Sequence, residues 1–224
     1  MIVDCVIPAR DEADTVAEVV RAARACKYVR TVIVVDDGST DATASEAAGA
    51  GALVVRRTSD GSKAHAMQDG VARSDADVLL FADADLVGIT AEHLDAIVEP
   101  VLARRAALSI GTFDYRPWNW FVLRFPPTTG ERCMPRWVFD AVPAHKRNGY
   151  TIEIMINEVI AEGRLPTVAR VMRGVTHRTK RDKFGKFEGY RRTWRMFFEL
   201  LGLPVRGVVR WRTYWFYLRA LTVE

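Results

Sequence analysis

Apolar and polar positions alternate in regular blocks along the first hundred residues. Short runs rich in β-branched residues predict strands at Ile2–Ile7, Thr31–Val35, Leu53–Arg56 and Val78–Ala82. Between these runs the apolar residues recur at helical spacing, and Thr15 with Glu18 has the spacing of a capping box. Such alternation of strand and helix is typical of a parallel sheet covered by helices on both faces.

The regular alternation ends after Ala106. The later pattern predicts a strand or strand pair, a short helix, an amphipathic helix and a further strand, respectively at Leu108–Tyr115, Arg136–Ala141, Ile152–Glu162 and Val168–Met172. We expect an α/β fold with a mostly parallel central sheet flanked by helices. We place one domain at residues 1–180, with halves 1–105 and 106–180, and a basic, aromatic, helical tail at 181–224.

Composition narrows the class of protein. The 224 residues suit one domain with a full hydrophobic core. The cysteines Cys5, Cys26 and Cys133 lack metal-ligand spacing and are interpreted as reduced, buried thiols. No stretch is long and apolar enough to predict a membrane span. Because Met1 leads directly into the first strand, we expect no signal peptide and a cytoplasmic protein.

The net charge of +4 is distributed unevenly. From Arg178 to Glu224 there are twelve basic and four acidic residues, so this part carries +8 and the rest sums to −4. The aromatic residues of this tail predict a helix packed on the domain or on a second subunit, which would make a homodimer. Peripheral contact with the inner face of an anionic membrane is the alternative. No motif for nucleic-acid binding is present.

Candidate chemistry lies in acidic residues that follow the predicted strands. The glycine-rich motifs of dinucleotide-binding and P-loop proteins are absent from the sequence. The strand ends instead carry Glu12, Asp36, Asp37, Asp83 and Asp85. Open α/β sheets bind ligands at the carboxyl ends of their strands, and paired carboxylates suit a hard divalent cation that holds phosphate oxygens. Alternatively, Asp36 and Asp37 only build a turn, and Asp75-Ala76-Asp77, at the other end of its strand, is predicted to be a solvated turn.

Three segments together resemble the GT-A glycosyltransferases of the family 2 type. They are Val6-Ile7-Pro8-Ala9-Arg10-Asp11-Glu12, Val34-Val35-Asp36-Asp37-Gly38-Ser39-Thr40-Asp41 and Phe81-Ala82-Asp83-Ala84-Asp85. The resemblance implies a GT-A (nucleotide-diphospho-sugar transferase) fold, a UDP- or GDP-sugar donor, and Mn²⁺ or Mg²⁺. It implies that Asp37 meets the base, Glu12 the ribose region and Asp85 the metal. The donor site would also include Pro8, Ala9, Arg10, Asp36, Asp83 and Ala84. The sequence departs from the family at Arg10-Asp11, where an aromatic residue and Asn are common.

Further segments are similar to glucosyl-3-phosphoglycerate synthases and mannosylglycerate-type enzymes, and in part to polyprenol-phosphate sugar transferases. They are Gly61-Ser62-Lys63, Thr129-Gly130-Glu131, Gly149-Tyr150-Thr151-Ile152-Glu153-Ile154 and Gly174-Val175-Thr176-His177-Arg178. This similarity implies that Lys63 binds donor phosphate and that His177 joins Asp83 and Asp85 as a metal ligand. We assign Glu153 to catalysis, and Gly130, Arg132 and Arg136 to the acceptor.

Structural interpretations of the same residues stay open at this point. Glu153 also suits the start of a helix, where a carboxylate is favoured, and His177 also suits a structural role. Arg132 and Arg136 also suit an ordinary protein surface, and Glu158 is interpreted as solvated. The sequence favours a transferase to a small phosphorylated or lipid-phosphate acceptor. The alternatives are a nucleotide-sugar-binding protein without turnover, and a polyprenol-phosphate sugar transferase recruited to the membrane surface.

Overall fold

The computed structural model describes residues 1–60, 62–114, 129–147, 152–177 and 210–224. The strands are β1 (Val3–Ala9), β2 (Val29–Asp37), β3 (Leu53–Arg57), β4 (Val78–Phe81), β5 (Leu86–Val87), β6 (Leu108–Phe113), β7 (Arg132–Pro135), β8 (Thr167–Met172), β9 (Thr176–His177) and β10 (Leu221–Val223). The helices are α1 (Val16–Ala25), α2 (Thr43–Gly49), α3 (Lys63–Ala72), α4 (Ala91–Leu102), α5 (Arg136–Asp140), α6 (Ile152–Glu162) and α7 (Trp211–Ala220).

The main sheet of the described residues has the strand order β10-β8-β6-β7-β4-β1-β2-β3. Neighbouring strands run parallel except β7, which lies antiparallel between β4 and β6. Alternate residues of the buried strands therefore enter two apolar layers. One layer packs against α1 and α4, and the other against α3, α5, α6 and α7. The prediction of a mostly parallel sheet flanked by helices is confirmed.

The first strand and the first helix differ from the prediction in detail. β1 continues through Pro8 to Ala9, with Pro8 in register with Val35 of β2. A proline fits there because β4 ends at Phe81, so the side of β1 that faced β4 is open and needs no N–H donor. The prediction of a capping box at α1 is wrong, because the Thr15 side chain makes no cap hydrogen bond. The Glu18 carboxylate instead accepts a hydrogen bond from the Gly88 N–H at 3.3 Å.

The short strands were not predicted. β7 has only four residues, begins with a charge and ends with a proline, so its sequence carries too few alternations to identify a strand. β5 and β9 pair only through Leu86 with His177 and Val87 with Thr176. Both strands gain their stability from tertiary position rather than from local propensity, and β9 delivers one of the candidate metal ligands to the site.

The end of the chain packs on the domain. Tyr217 of α7 is fully buried, and its hydroxyl donates to the Asn157 carbonyl of α6 at 3.3 Å. Leu221–Val223 pairs in parallel with β8, so the expectation of a wholly helical tail is wrong at these residues, where β-branched side chains favour a strand. The proposed boundary at residue 180, and the tail up to residue 209, lie outside the described residues. None of the described helices combines the length and apolarity needed to cross a membrane.

Candidate active site

The loops that follow β1 and β2 are bonded to each other at the carboxyl edge of the sheet. Asp11 adopts a left-handed φ of 52°, which Asp and Asn tolerate better than most residues. Its N–H donates to the Ser39 hydroxyl at 3.1 Å, and its carboxylate accepts from the Thr40 N–H at 2.8 Å. The Glu12 N–H donates to the Thr43 hydroxyl at 2.8 Å. The departure from the family at Asp11 therefore preserves the turn that joins the two loops.

The two aspartates at the end of β2 have different surroundings. Asp36 accepts a hydrogen bond from the Ser39 N–H at 2.9 Å, which supports its interpretation as a turn residue. The buried carboxylate of Asp37 accepts from the Ser59 hydroxyl at 3.0 Å and also pairs with the Arg57 guanidinium. Arg57 was not among the residues predicted for the site, although β3 ends there in register with Asp37.

The remaining residues predicted at the donor site surround these loops. Arg10 is exposed and donates to the Ser59 hydroxyl at 2.9 Å, which places it one side chain away from the Asp37 carboxylate. Pro8 and Ala9 complete β1 immediately before it. The Glu12 carbonyl accepts from the N–H groups that open α1. The loop residues predicted for the donor therefore share one edge of the sheet.

Asp83, Asp85 and His177 converge at the same edge. One ligand atom from each side chain lies within 4.8 Å of the others. The His177 Nδ1 is 3.2 Å from the Asp85 Oδ1, because the pairing of β9 with β5 brings the histidine beside the loop that follows β4. Ala84 is buried between the two aspartates and keeps their loop against the core. Two carboxylates and an imidazole suit Mn²⁺ or Mg²⁺, with the nitrogen favouring Mn²⁺.

The ionisation of this triad is shaped by burial and by mutual contact. Burial lowers the pKa of His177, but the hydrogen bond and charge of Asp85 outweigh it and leave the pKa raised. Burial raises the pKa of Asp85, and the His177 contact outweighs it and leaves that pKa lowered. The Phe113 ring lies 4.4 Å from the imidazole, centroid to centroid, and packs against it. The Asp85 hydrogen bond and the Phe113 ring thus both fix the orientation of the histidine.

Lys63 begins α3 and connects the Asp83 carboxylate to that of Glu153. Its Nζ is 2.6 Å from the Asp83 Oδ1 and 3.0 Å from the Glu153 Oε1. Burial lowers the pKa of Lys63, but the charges of the two carboxylates outweigh it and leave the pKa raised. Ser62 caps the helix by accepting from the His65 N–H at 3.3 Å, which fixes the first turn that presents the lysine.

Gly130 packs directly on the Asp83 side chain. A Cβ atom at this position would overlap the carboxylate of Asp83. No larger residue is therefore compatible with the present placement of Asp83. This contact brings the predicted acceptor turn against the predicted metal ligand.

Glu153 lies in the first turn of α6 and its side chain is almost completely buried. Glu158 is also buried, with its carboxylate 4.0 Å from the Lys146 ammonium, so its interpretation as solvated is wrong. The reason is that α6 is covered along most of its circumference, as its run of buried residues shows.

Arg132 does not lie on the surface, where it could bind an acceptor. It is fully buried, and burial leaves the pKa of its guanidinium lowered. Its Nε donates to the Thr129 carbonyl at 3.0 Å, and its Nη1 donates to the Glu153 main-chain carbonyl at 3.1 Å. Arg132 therefore joins the turn at Gly130 to the start of α6 from inside the protein. The prediction that Arg132 contacts an acceptor directly is corrected by this buried position.

Arg136 lies away from the site, and its predicted role in acceptor binding is wrong. Its guanidinium donates to the main-chain carbonyl of Val71 at 3.0 Å and also bonds the carbonyl of Ser74. Because β7 runs antiparallel to β4, residues at the end of β7 reach the start of β4, which is the opposite edge of the sheet.

Glu131 is a buried carboxylate that the sequence reasoning placed in a motif without a role. Burial and the charge of Asp83 raise the pKa of Glu131 to about 7. Its Oε2 accepts a hydrogen bond from the Thr129 hydroxyl, whereas its Oε1 has no hydrogen-bond partner among the described residues. Glu131 directly precedes the unpredicted strand β7, so its burial follows from a tertiary position that the sequence pattern did not reveal.

Comparison with known proteins agrees with this architecture. Glucosyl-3-phosphoglycerate synthase from Mycolicibacterium paratuberculosis is 32% identical over 126 residues, an alignment that covers 52% of this chain and 38% of the relative. The matched part of this chain thus spans less than half of that relative's length.

Solved structures of the corresponding synthase from Mycobacterium tuberculosis share the fold. The complex with Mg²⁺ and uridine diphosphate aligns with a TM-score of 0.68 at 23% identity, covering 79% of this chain and 71% of that one. The complex with Mn²⁺, UDP-glucose and phosphoglyceric acid aligns with a TM-score of 0.67 at 22% identity, covering 79% and 72%. The expected GT-A class is therefore confirmed. A family model for glycosyl transferase family 2 matches residues 4–201, and the chain belongs to this family.

Proposed function

We propose that this protein is a metal-dependent glycosyltransferase that moves a hexose from a nucleotide-diphospho-sugar to a small phosphorylated acceptor. The observation that carries the proposal is the convergence of Asp83, Asp85, His177, Lys63 and Glu153 at one edge of the sheet. The solved relatives contain UDP or UDP-glucose with Mg²⁺ or Mn²⁺, and some contain phosphoglyceric acid, which favours UDP-glucose and 3-phosphoglycerate as first substrates to test.

The donor would extend from the loop pair to the carboxylate triad. Asp37 supplies acceptor oxygens for the N–H groups of a base, and Arg10 lies beside it for a phosphate or ribose. Asp83, Asp85 and His177 are the residues that would hold Mn²⁺ or Mg²⁺. The bound ion would stabilise the negative charge that develops on the departing nucleoside diphosphate. Lys63 is the nearby ammonium that adds to this stabilisation.

Glu153 faces the acceptor side of this arrangement and is proposed as the catalytic carboxylate. In an inverting reaction it would accept the proton of the attacking hydroxyl. In a retaining reaction it would stabilise positive charge on the sugar. Arg132 holds the main chain of Glu153 in place relative to the turn at Gly130. We propose that Arg132 and Gly130 position the acceptor side of the site, and that Arg132 does not touch the acceptor.

A panel of UDP-, GDP- and ADP-sugars tests the proposal. Nucleotide release would be measured with Mn²⁺, with Mg²⁺ and with EDTA, in the presence and absence of 3-phosphoglycerate. We expect metal-dependent release from one donor, accelerated by an acceptor. Tight binding of a donor with no release under any of these conditions would instead identify a nucleotide-sugar-binding protein without turnover.

A lipid-phosphate acceptor is the second candidate, because Trp211 and Trp215 are exposed one helical turn apart on α7. Arg219 lies over the Trp215 ring at 5.9 Å, which combines a cation with an amphipathic aromatic side chain. Flotation with anionic liposomes tests this candidate, and Trp215→Ser should abolish flotation if α7 makes the contact. Cytoplasmic location, membrane contact and a homodimer stay predictions.

A further inference from the structure

The Lys63 ammonium is shared by two carboxylates that belong to different parts of the proposed reaction. It contacts Asp83, a candidate metal ligand, at 2.6 Å and Glu153, the candidate catalytic carboxylate, at 3.0 Å. The exposed fractions of the Lys63 and Glu153 side chains are 18% and 6%. An ion pair so poorly exposed is screened by salt much less than a surface pair. A change of partner for Lys63 should therefore alter binding affinities measurably.

Glu153 has no second cationic partner among the described residues that would replace Lys63. The buried Arg132 directs hydrogen bonds to the main-chain carbonyls of Thr129 and Glu153 rather than to the Glu153 carboxylate. If Lys63 were withdrawn, Glu153 would become a buried carboxylate without its counter-charge. Such a group repels other anions more strongly than a paired one.

We propose that the donor diphosphate and the Glu153 carboxylate compete for Lys63. This inference rests on the proposed function, because it requires a diphosphate beside Asp83. In the free protein Lys63 holds Glu153. When the donor binds, the ammonium turns to the diphosphate, whose charge is larger, and Glu153 is released toward the acceptor side. The carboxylate is therefore withheld from an acceptor or from water until a donor is in place, which imposes an order on binding.

The competition predicts an increase in nucleotide affinity when Glu153 loses its charge. UDP binding would be measured by isothermal titration calorimetry in the presence of Mn²⁺ for the wild type and for Glu153→Gln. We expect Glu153→Gln to bind UDP about fivefold more tightly or better, since Lys63 then gives up one ion pair fewer when it turns to the diphosphate. The matched control is Glu158→Gln, which removes a buried charge of the same helix and should leave the UDP affinity within about twofold.

A double-mutant cycle separates exchange of Lys63 from a general effect of removing negative charge. In a Lys63→Met background the exchange cannot occur, so adding Glu153→Gln should change the UDP affinity by less than about twofold. Should Lys63→Met fail to fold, Lys63→Gln provides the same background with a polar side chain.

Three outcomes decide the matter. Unchanged or weaker UDP binding by Glu153→Gln overturns the competition, because Lys63 then serves both anions at once. Equal tightening with and without Lys63 also overturns it, because the effect is then general repulsion. If the wild type binds none of UDP, GDP and ADP with Mn²⁺ or Mg²⁺, the proposed function fails and the competition fails with it.

Discussion

The strand β4 carries the same acidic motif at both ends, and the two copies have different partners. At its start, the Asp75 carboxylate pairs with Arg30 and the Asp77 carboxylate accepts from the Ile2 N–H at 2.9 Å. At its end, Asp83-Ala84-Asp85 contacts Lys63 and His177. The motif alone therefore does not distinguish a structural turn from a binding site. The distinction comes from whether the motif lies at the amino or the carboxyl end of the strand.

The partners explain why the two ends behave differently. Arg30 also makes two hydrogen bonds to Asp4, which is buried and accepts a further bond from Ser74 at 2.7 Å. Every contact at this end joins neighbouring elements of the fold. At the other end, by contrast, the partner side chains are themselves candidates to bind a metal or a phosphate. We expect substitutions at the start of β4 to change stability, and those at its end to change binding.

The largest effect is expected from Asp85→Ala. Loss of this carboxylate should reduce metal-dependent release of UDP from UDP-glucose by more than about 100-fold, because a ligand of the proposed ion is removed. Asp75→Ala is the matched control from the other end of the strand and should retain wild-type rates. Similar losses in both variants would contradict the distinction between the two ends.

The next effect concerns His177. We expect His177→Gln to weaken Mn²⁺ binding, measured with UDP present, by about 10- to 100-fold. Because the pKa of His177 is raised, protons compete with the metal at higher pH than for an ordinary histidine. Mn²⁺ affinity of the wild type should therefore fall as the pH is lowered through this raised pKa. The corresponding dependence should be weaker in His177→Gln, whereas His93→Gln, in the cap of α4, should keep it.

Asp4→Ala tests the structural end of the sheet. The variant loses the hydrogen bonds from Arg30 and Ser74 at a buried position, and we expect the free energy of unfolding to fall by about 2 kcal/mol. Urea denaturation measures this change. Affinity for UDP with Mn²⁺ should stay within about twofold of the wild type at temperatures where the variant is folded. A marked loss of UDP affinity would show that the two ends are coupled.

The last effect, similar in size to that of Asp4→Ala, is expected at Glu131. Its pKa of about 7 lies above the ordinary value of 4.5, so the folded state binds a proton more tightly than the unfolded state. The stabilising contribution is complete below the unfolded value and is lost as the pH rises through about 7. Glu131→Gln should remove this loss and gain on the order of 2 kcal/mol relative to the wild type at about pH 8. Denaturation curves at about pH 5 and about pH 8 provide the comparison, and equal differences at both would contradict the assignment.

The regular half of the fold was predictable because its sequence pattern is strong. The strands β1, β2 and β4 are largely apolar, so their positions and ends follow from the sequence, as do the acids that leave them. The triad of Asp83, Asp85 and His177 was implied by family resemblance, and the structure brings the three side chains together. Their roles toward a metal stay proposals.

The less predictable part depends on contacts that no local pattern encodes. Arg132 begins the short strand β7 and Arg136 directly follows it. Arg132 is nevertheless buried and bonded to the main chain of Glu153, whereas Arg136 lies near the start of β4. The antiparallel direction of β7 decides this, and four residues do not reveal it. Likewise, Arg57 reaches Asp37 only because β3 and β2 end in register.

The hydrogen bonds between the loops after β1 and β2 have a consequence for engineering. Asp11, Glu12, Ser39, Thr40 and Thr43 form one continuous cradle, and its conformational entropy has already been lost when the protein folds. A nucleotide would meet a preorganised surface, so its association should require little loop rearrangement. Exchange of either loop alone would leave hydrogen-bond donors and acceptors of the other loop without partners. A change of base preference would therefore require transplanting both loops as a single block.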